Sequence, residues 1–228
     1  MRMIADLFRS AIILMEATMD EITVAVARAV ACRTRLRILS QLSRVEELAP
    51  TRLARELGIS LELLCAHLRR LAFTGLLTRR RSGTWCYCRP ESPYGSRTLS
   101  GGLALWLYAT LSDPAGSLKK AGCQPKGAVA AGGEEKILCR VIFEAATAFT
   151  HPRRLQLLRR LRSGPADVVT LTSELRMSES ALSRHADKLL RRGYIEIERH
   201  GRLMRYRTAR KPKTPIHGRW LELVARSW

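Results

Sequence analysis

The sequence predicts a mainly α-helical fold with small β-hairpins, assembled from two copies of one unit. Three observations carry that prediction. First, Leu53 to Arg89 repeats without a gap as Leu171 to Arg207. Leu53, Glu56, Leu57, Ser60, Leu64, His67, Leu71, Gly75, Arg81, Gly83 and Arg89 recur as Leu171, Glu174, Leu175, Ser178, Leu182, His185, Leu189, Gly193, Arg199, Gly201 and Arg207, whereas unrelated stretches of that length would share roughly two residues. Second, in each copy apolar residues spaced for one helix face give way, after a glycine, to two strand-like stretches around another glycine. Third, Arg35, Leu36, Leu39 and Leu42 reappear, one residue out of register, as Arg154, Leu155, Leu158 and Leu161, so the repeat reaches upstream. Solenoids need three or more short repeats to bury a core, so two units of this size read as tandem domains.

Residues 1–18 read either as an extra amphipathic helix, with Met3, Ile4, Leu7, Ala11, Ile12 and Leu14 on one face, or as an extension ahead of a start at Met19. The first unit, 19–96, opens with helices over Asp20 to Ala31 and Thr34 to Leu42. Thr51 is placed to cap a short helix ending at Leu57, which Gly58 closes with a left-handed turn. Ser60 caps the next helix. Turning Leu64, Leu68 and Leu71 inward leaves Glu62, Leu63, Ala66, Arg69 and Arg70 outward. In the second copy the same projection turns Ser180, Ala181, Arg184, Asp187 and Lys188 outward, and Gly75 and Gly193 end the two helices.

A hairpin, or wing, follows each helix: Leu76 to Arg81 and Thr84 to Arg89 around Ser82-Gly83, then Tyr194 to Arg199 and Arg202 to Arg207 around His200-Gly201. Residues 97–133 combine an apolar helix, Ser100 to Leu111, with a mobile connector from Ala115 to Gly133. The second unit, 134–213, opens on a helix over Glu134 to Phe149, and 214–228 holds a closing helix over Trp220 to Trp228.

Charge bounds the partners. Lys and Arg number 40 against 20 Asp and Glu, a net +20, with an isoelectric point near 10.9. That balance is the footprint of a polyanion binder. The arginines gather around the outward helix faces and hairpins, whereas a compositional bias would scatter them. The six cysteines show no framework spacing, which fits a reducing cytoplasm. The apolar run Leu103 to Ala109 is too short to span a bilayer, and no cleavage site follows Ala11 to Met15, so neither membrane insertion nor export is expected. No nucleophile-base grouping, phosphate loop or carboxylate pair points to catalysis, and no cofactor is expected.

Arg33-Thr-Arg-Leu-Arg-Ile-Leu, Leu53-Ala-Arg-Glu-Leu-Gly-Ile-Ser with His67-Leu, and Gly83-Thr-Trp-Cys-Tyr-Cys-Arg together resemble the ArsR-like family of bacterial winged-helix repressors. In the second copy, His151-Pro-Arg-Arg-Leu and Ser178-Glu-Ser-Ala-Leu-Ser-Arg-His resemble it more closely still. The resemblance implies two tandem winged helix-turn-helix domains arranged as an intramolecular pseudo-dimer, with one reader helix each for a major groove of double-stranded DNA. Half-sites about 34 Å apart follow, and the operator need not be palindromic. Further pairing into homodimers stays open, and no small-molecule effector is identifiable. The positions of the family's metal-binding cysteine pair are Ala49 and Thr51, then Asp167 and Val169, so no metal site is expected there.

The DNA contacts expected are Ser60, His67, Arg69, Arg70, Arg79, Arg80 and Arg81 in the first unit, and Ser178, Ser180, Arg184, His185, Lys188, Arg199 and Arg202 in the second. Arg184 is the strongest base reader, because a bidentate arginine on guanine is the commonest specific contact. The first reader carries Glu62 and Ala66 where the second has Ser180 and Arg184. Its apolar Leu63 and Ala66 motivate a rival reading, a protein-interaction scaffold in a chromosome-organising or ribonucleoprotein complex. A third reading is a thiol-responsive repressor, since Cys86 and Cys88 lie two apart on one strand.

Overall fold

The computed structural model describes residues 18–125, 127, 130, 132–200, 203–226 and 228, and in them the chain is mainly helical with small antiparallel sheets. Helix α1 covers 18–30. It is followed by α2 (Arg33–Leu42), α3 (Pro50–Leu57), α4 (Leu61–Phe73) and the hairpin β1 (Thr78–Ser82) and β2 (Trp85–Arg89). Then come α5 (Leu99–Ser112), α6 (Pro114–Lys120), α7 (Gly133–Thr147), α8 (Pro152–Arg162), β3 (Ala166–Asp167), α9 (Val168–Leu175) and α10 (Glu179–Arg191). Strands β4 (Ile195–His200) and β5 (Leu203–Thr208) and helix α11 (Pro215–Ala225) complete the order. The extra helix expected within 1–17 lies outside the described residues.

The same local chemistry builds α4 and α10. Ser60 Oγ accepts from Leu63 N at 3.2 Å and Ser178 Oγ from Ala181 N at 3.3 Å, so each helix starts on a side-chain cap. Gly75 and Gly193, at φ +67° and +70°, take the left-handed turn that leads into each hairpin. Helix α3 departs from the expectation. Pro50 occupies its first turn and Ala49 precedes it without a side-chain cap, so Thr51 is a helical residue and not the cap.

Four further boundaries differ from the sequence reading. The first hairpin pairs Ser82 with Trp85, moving its tip one residue to Gly83-Thr84. In the second, β4 runs through His200, which is a strand residue and not part of the turn. The connector is not wholly irregular: Asp113 Oδ1 caps α6 by accepting from Gly116 N at 2.9 Å, and Leu118 is buried. The closing helix starts at Pro215, because Thr214 caps it by accepting from His217 N. Strand β3, pairing Ala166 with Tyr206, was not expected, nor was its single-bridge counterpart between Leu48 and Cys88.

The two halves interlock. Asp20 of α1 pairs with Arg159 of α8 at 2.6 Å, and Glu135 of α7 pairs with Arg44, just past α2, at 2.6 Å. The first helix of each half thus lies against the second helix of the other. Helices α5 and α11 close the middle, where Phe149 stacks on Trp220 at 5.8 Å and meets Tyr194 edge-on at 4.8 Å. Trp106 of α5 adds a T-shaped contact to Trp220 at 6.4 Å. The buried apolar side chains of both halves form one continuous cluster.

Candidate nucleic-acid interface

Helices α4 and α10 place their apolar stripes inward: Leu64, Leu68 and Leu71, and Leu182, Ala186 and Leu189, are buried. Their opposite faces face solvent. On α4, Glu62, Leu63, Ala66, Arg69 and Arg70 are exposed, and on α10 Ser180, Arg184 and Asp187 are exposed, with Ala181 and Lys188 half-buried. Ser60 and Ser178 serve first as caps. Ser178 Oγ also lies 3.2 Å from Ser180 Oγ, which holds that hydroxyl at the start of the outward face. Among the described residues the Arg184 guanidinium bonds only from Nε to Ser180 O, at 3.4 Å.

The hairpin arginines divide. Arg80 is committed to Glu47, donating from Nε at 3.0 Å and Nη2 at 2.7 Å, and lies over the Tyr87 ring at 5.2 Å. That bidentate pairing holds the Glu47 carboxyl below its usual range and raises the guanidinium. Arg79 donates to Cys86 Sγ at 3.5 Å, while Arg81 and Arg199 are exposed on the strands. Arg202 lies outside the described residues.

His67 and His185 do not sit alone on the helix flanks. Arg35 Nη1 donates to His67 Nδ1 at 3.4 Å, and His185 packs on His151 with ring centroids 4.5 Å apart. Burial, then the charge of Arg35, lowers the pKa of His67. Burial followed by His151 and Arg154 pushes His185 down to about 4. Both rings are therefore neutral near pH 7, suited to hydrogen bonding and not to charge pairing with phosphate. Lys188 is lowered too, first by burial and then by Arg192 and Arg154.

Sequence reading named single residues and missed the belt that joins them. Arg35 Nε donates to Ala29 O at 2.5 Å and Nη2 to Arg28 O at 2.7 Å. Arg154 repeats this on Ala148 O at 2.6 Å and Thr147 O at 3.1 Å. Arg28 Nε then reaches Thr150 O at 3.1 Å, beside His151. The recurrence of Arg35 as Arg154 was the available signal. It marked two arginines that tie helix ends together, and through them the flank of α4 to the flank of α10.

The two wing cysteines differ in their surroundings. Cys88 is buried and its thiol is pushed up to about 11, chiefly by burial, while Cys86 is half-buried beside Arg79. Among the described residues no cluster of three metal-ligating side chains occurs, and no helix is long and apolar enough to cross a membrane.

Helices that present one outward face, each followed by a small antiparallel hairpin, are consistent with the winged helix-turn-helix class. Residues 151–196 match the family model described as bacterial regulatory protein, arsR family. That segment, α8 through the start of β4, is similar to the helix-turn-helix of ArsR-family regulatory proteins. No curated protein and no solved structure matches the chain.

Proposed function

We propose that the protein is a cytoplasmic, sequence-specific transcriptional repressor that binds double-stranded DNA through two fused winged-helix units, 19–96 and 134–213. They act as an intramolecular pseudo-dimer, with 97–133 and 214–228 supplying the packed middle, and need neither cofactor nor metal. The single observation that supports this reading most is the exposure of both outward faces, on α4 and α10, each beside an arginine-bearing hairpin and linked by one belt of polar contacts. In this reading α10 specifies sequence through Arg184 and Ser180. The first unit, whose α4 lacks the counterparts of Ser180 and Arg184, contributes backbone contacts through Arg69 and Arg70 of α4 and Arg81 of the hairpin.

Selection of bound fragments from genomic DNA, followed by a salt titration, tests it. Affinity falls steeply with salt as counterions are released. Arg184→Ala relaxes base preference, whereas Arg199→Ala weakens all duplexes alike. An affinity flat across salt overturns the proposal.

One observation favours a second reading, a protein-interaction scaffold: Leu61, Leu63 and Phe73 of α4 are 45%, 47% and 76% exposed. A stable protein partner that co-purifies through α4, with no shift of any duplex, would establish it in place of the first.

A further inference from the structure

Building on the reading just given, we propose that Arg28 reads the minor groove between the two half-sites, making the chain selective for a spacer that neither reader helix touches. Arg28 lies in the last turn of α1, at the seam of the halves. Its carbonyl accepts from Arg35 Nη2 at 2.7 Å, and its Nε donates to Thr150 O at 3.1 Å. Arg35 bonds His67 of α4, and His151, next to Thr150, packs on His185 of α10. Arg28 is therefore the middle link of the path from one reader to the other.

Its side chain is exposed, and among the described residues it has no carboxylate partner. The surroundings are cationic as well: the Arg28 charge contributes to lowering both His151 and Arg154. Arg28 itself has no arginine counterpart in the second half. The bond from Arg35 to Arg28 O is matched by the bond from Arg154 to Thr147 O, so Thr147 occupies the equivalent place in the second half. Thr147 is buried and donates to Glu144 O at 2.7 Å. A symmetric homodimer would repeat Arg28 on both sides of its axis; in the fused chain the second copy of that position is a threonine.

Two reader helices in successive major grooves on one face of a duplex leave the intervening minor groove turned toward the protein between them. A narrow A·T-rich minor groove concentrates negative potential and attracts arginine, whereas the guanine N2 amino group obstructs its floor. An exposed guanidinium at the seam would meet that groove.

Duplexes recovered from a random pool by the full chain, with only the central base pairs changed to A·T, G·C or inosine·cytosine, provide the test. Inosine·cytosine keeps the major-groove edge of G·C and lacks the N2 amino group. The wild-type protein is expected to bind the A·T and inosine·cytosine spacers about tenfold more tightly than the G·C spacer. Arg28→Gln, which keeps a donor for Thr150 O, should level the three while half-site preferences persist. Indifference of the wild-type protein to the spacer, or an unchanged ranking in Arg28→Gln, overturns the inference. Recovery of no duplex at all instead overturns the DNA-binding reading beneath it.

Discussion

Asp20 and Arg159, 139 residues apart in sequence, meet at 2.6 Å with the carboxylate almost wholly buried. The pair fastens α1 of the first half to α8 of the second. The Arg159 guanidinium also lies 5.7 Å from the Trp228 ring, so its removal loses packing as well as charge. Arg159→Ala would remove the counter-charge of a buried carboxylate and should lower unfolding free energy by about 2 to 3 kcal/mol. Arg44→Ala, at the corresponding but more exposed pair with Glu135, should cost less than about 1 kcal/mol. Chemical denaturation of the two variants side by side checks the ranking, and equal losses would contradict the buried-pair account.

Gly75 and Gly58 share a left-handed backbone, at φ +67° and +65°, yet have different surroundings. A Cβ on Gly58 would meet open space, while one on Gly75 would lie 2.4 Å from the Tyr94 ring. Gly58→Ala should therefore cost only the backbone strain, about 1 kcal/mol. Gly75→Ala adds a steric clash that the ring must move to relieve, for a total of about 3 kcal/mol. Thermal unfolding of both, together with Gly75→Ala in a Tyr94→Ala background, separates the two costs. The second substitution should recover most of the difference.

His185 has a folded pKa of about 4, below its ordinary value, for reasons of burial and the adjacent His151 and arginines. His217, buried and bonded to Thr214 Oγ1 at 2.9 Å, is likewise pushed down to about 4, chiefly by burial. Both rings are neutral when folded, and unfolding lets them take up protons. Their contribution to stability is thus present above pH ~6.5 and is lost as the pH falls from there through about 4. The denaturant midpoint should fall across that window, and His185→Gln should flatten the decline. A midpoint that rises on acidification would mean that the rings are stabilised in their charged form.

The helices were legible because their signals are local. Leu64, Leu68 and Leu71 announce a buried stripe, and Ser60 and Gly75 mark where α4 begins and where the chain turns after it. Boundaries governed by pairing were less legible. The hairpin tip moved from Ser82-Gly83 to Gly83-Thr84 because register is set across strands, and β3 needs Tyr206, forty residues away, to exist at all. Helix α6 was hidden by a composition rich in Gly, Ala and Lys, although Asp113 caps it and Leu118 anchors it. At the candidate interface the exposed arginines were readable from helical projection. The commitment of Arg80 to Glu47 and the link from Arg28 to Thr150 were not, since both join residues that no local period relates.

Gly58 and Arg176 occupy the same turn in the two halves and the same backbone region, at φ +65° and +49°. For glycine that conformation is free of strain, whereas an arginine there carries a Cβ too close to the following carbonyl, at a cost of about 1 to 2 kcal/mol. Arg176 is exposed and has no carboxylate partner among the described residues, so little is lost with its side chain. Arg176→Gly gives up some of that gain to the greater freedom of glycine in the unfolded chain. The net expectation is stabilisation of about 0.5 to 1 kcal/mol, with Gly58→Arg destabilising by a similar or larger amount. Because the turn sets the angle between α9 and α10, DNA binding by Arg176→Gly should change by no more than the loss of one surface charge. Denaturation curves and a binding isotherm at two salt concentrations measure both; a destabilised Arg176→Gly protein would show that the arginine side chain does more in that turn than tolerate it.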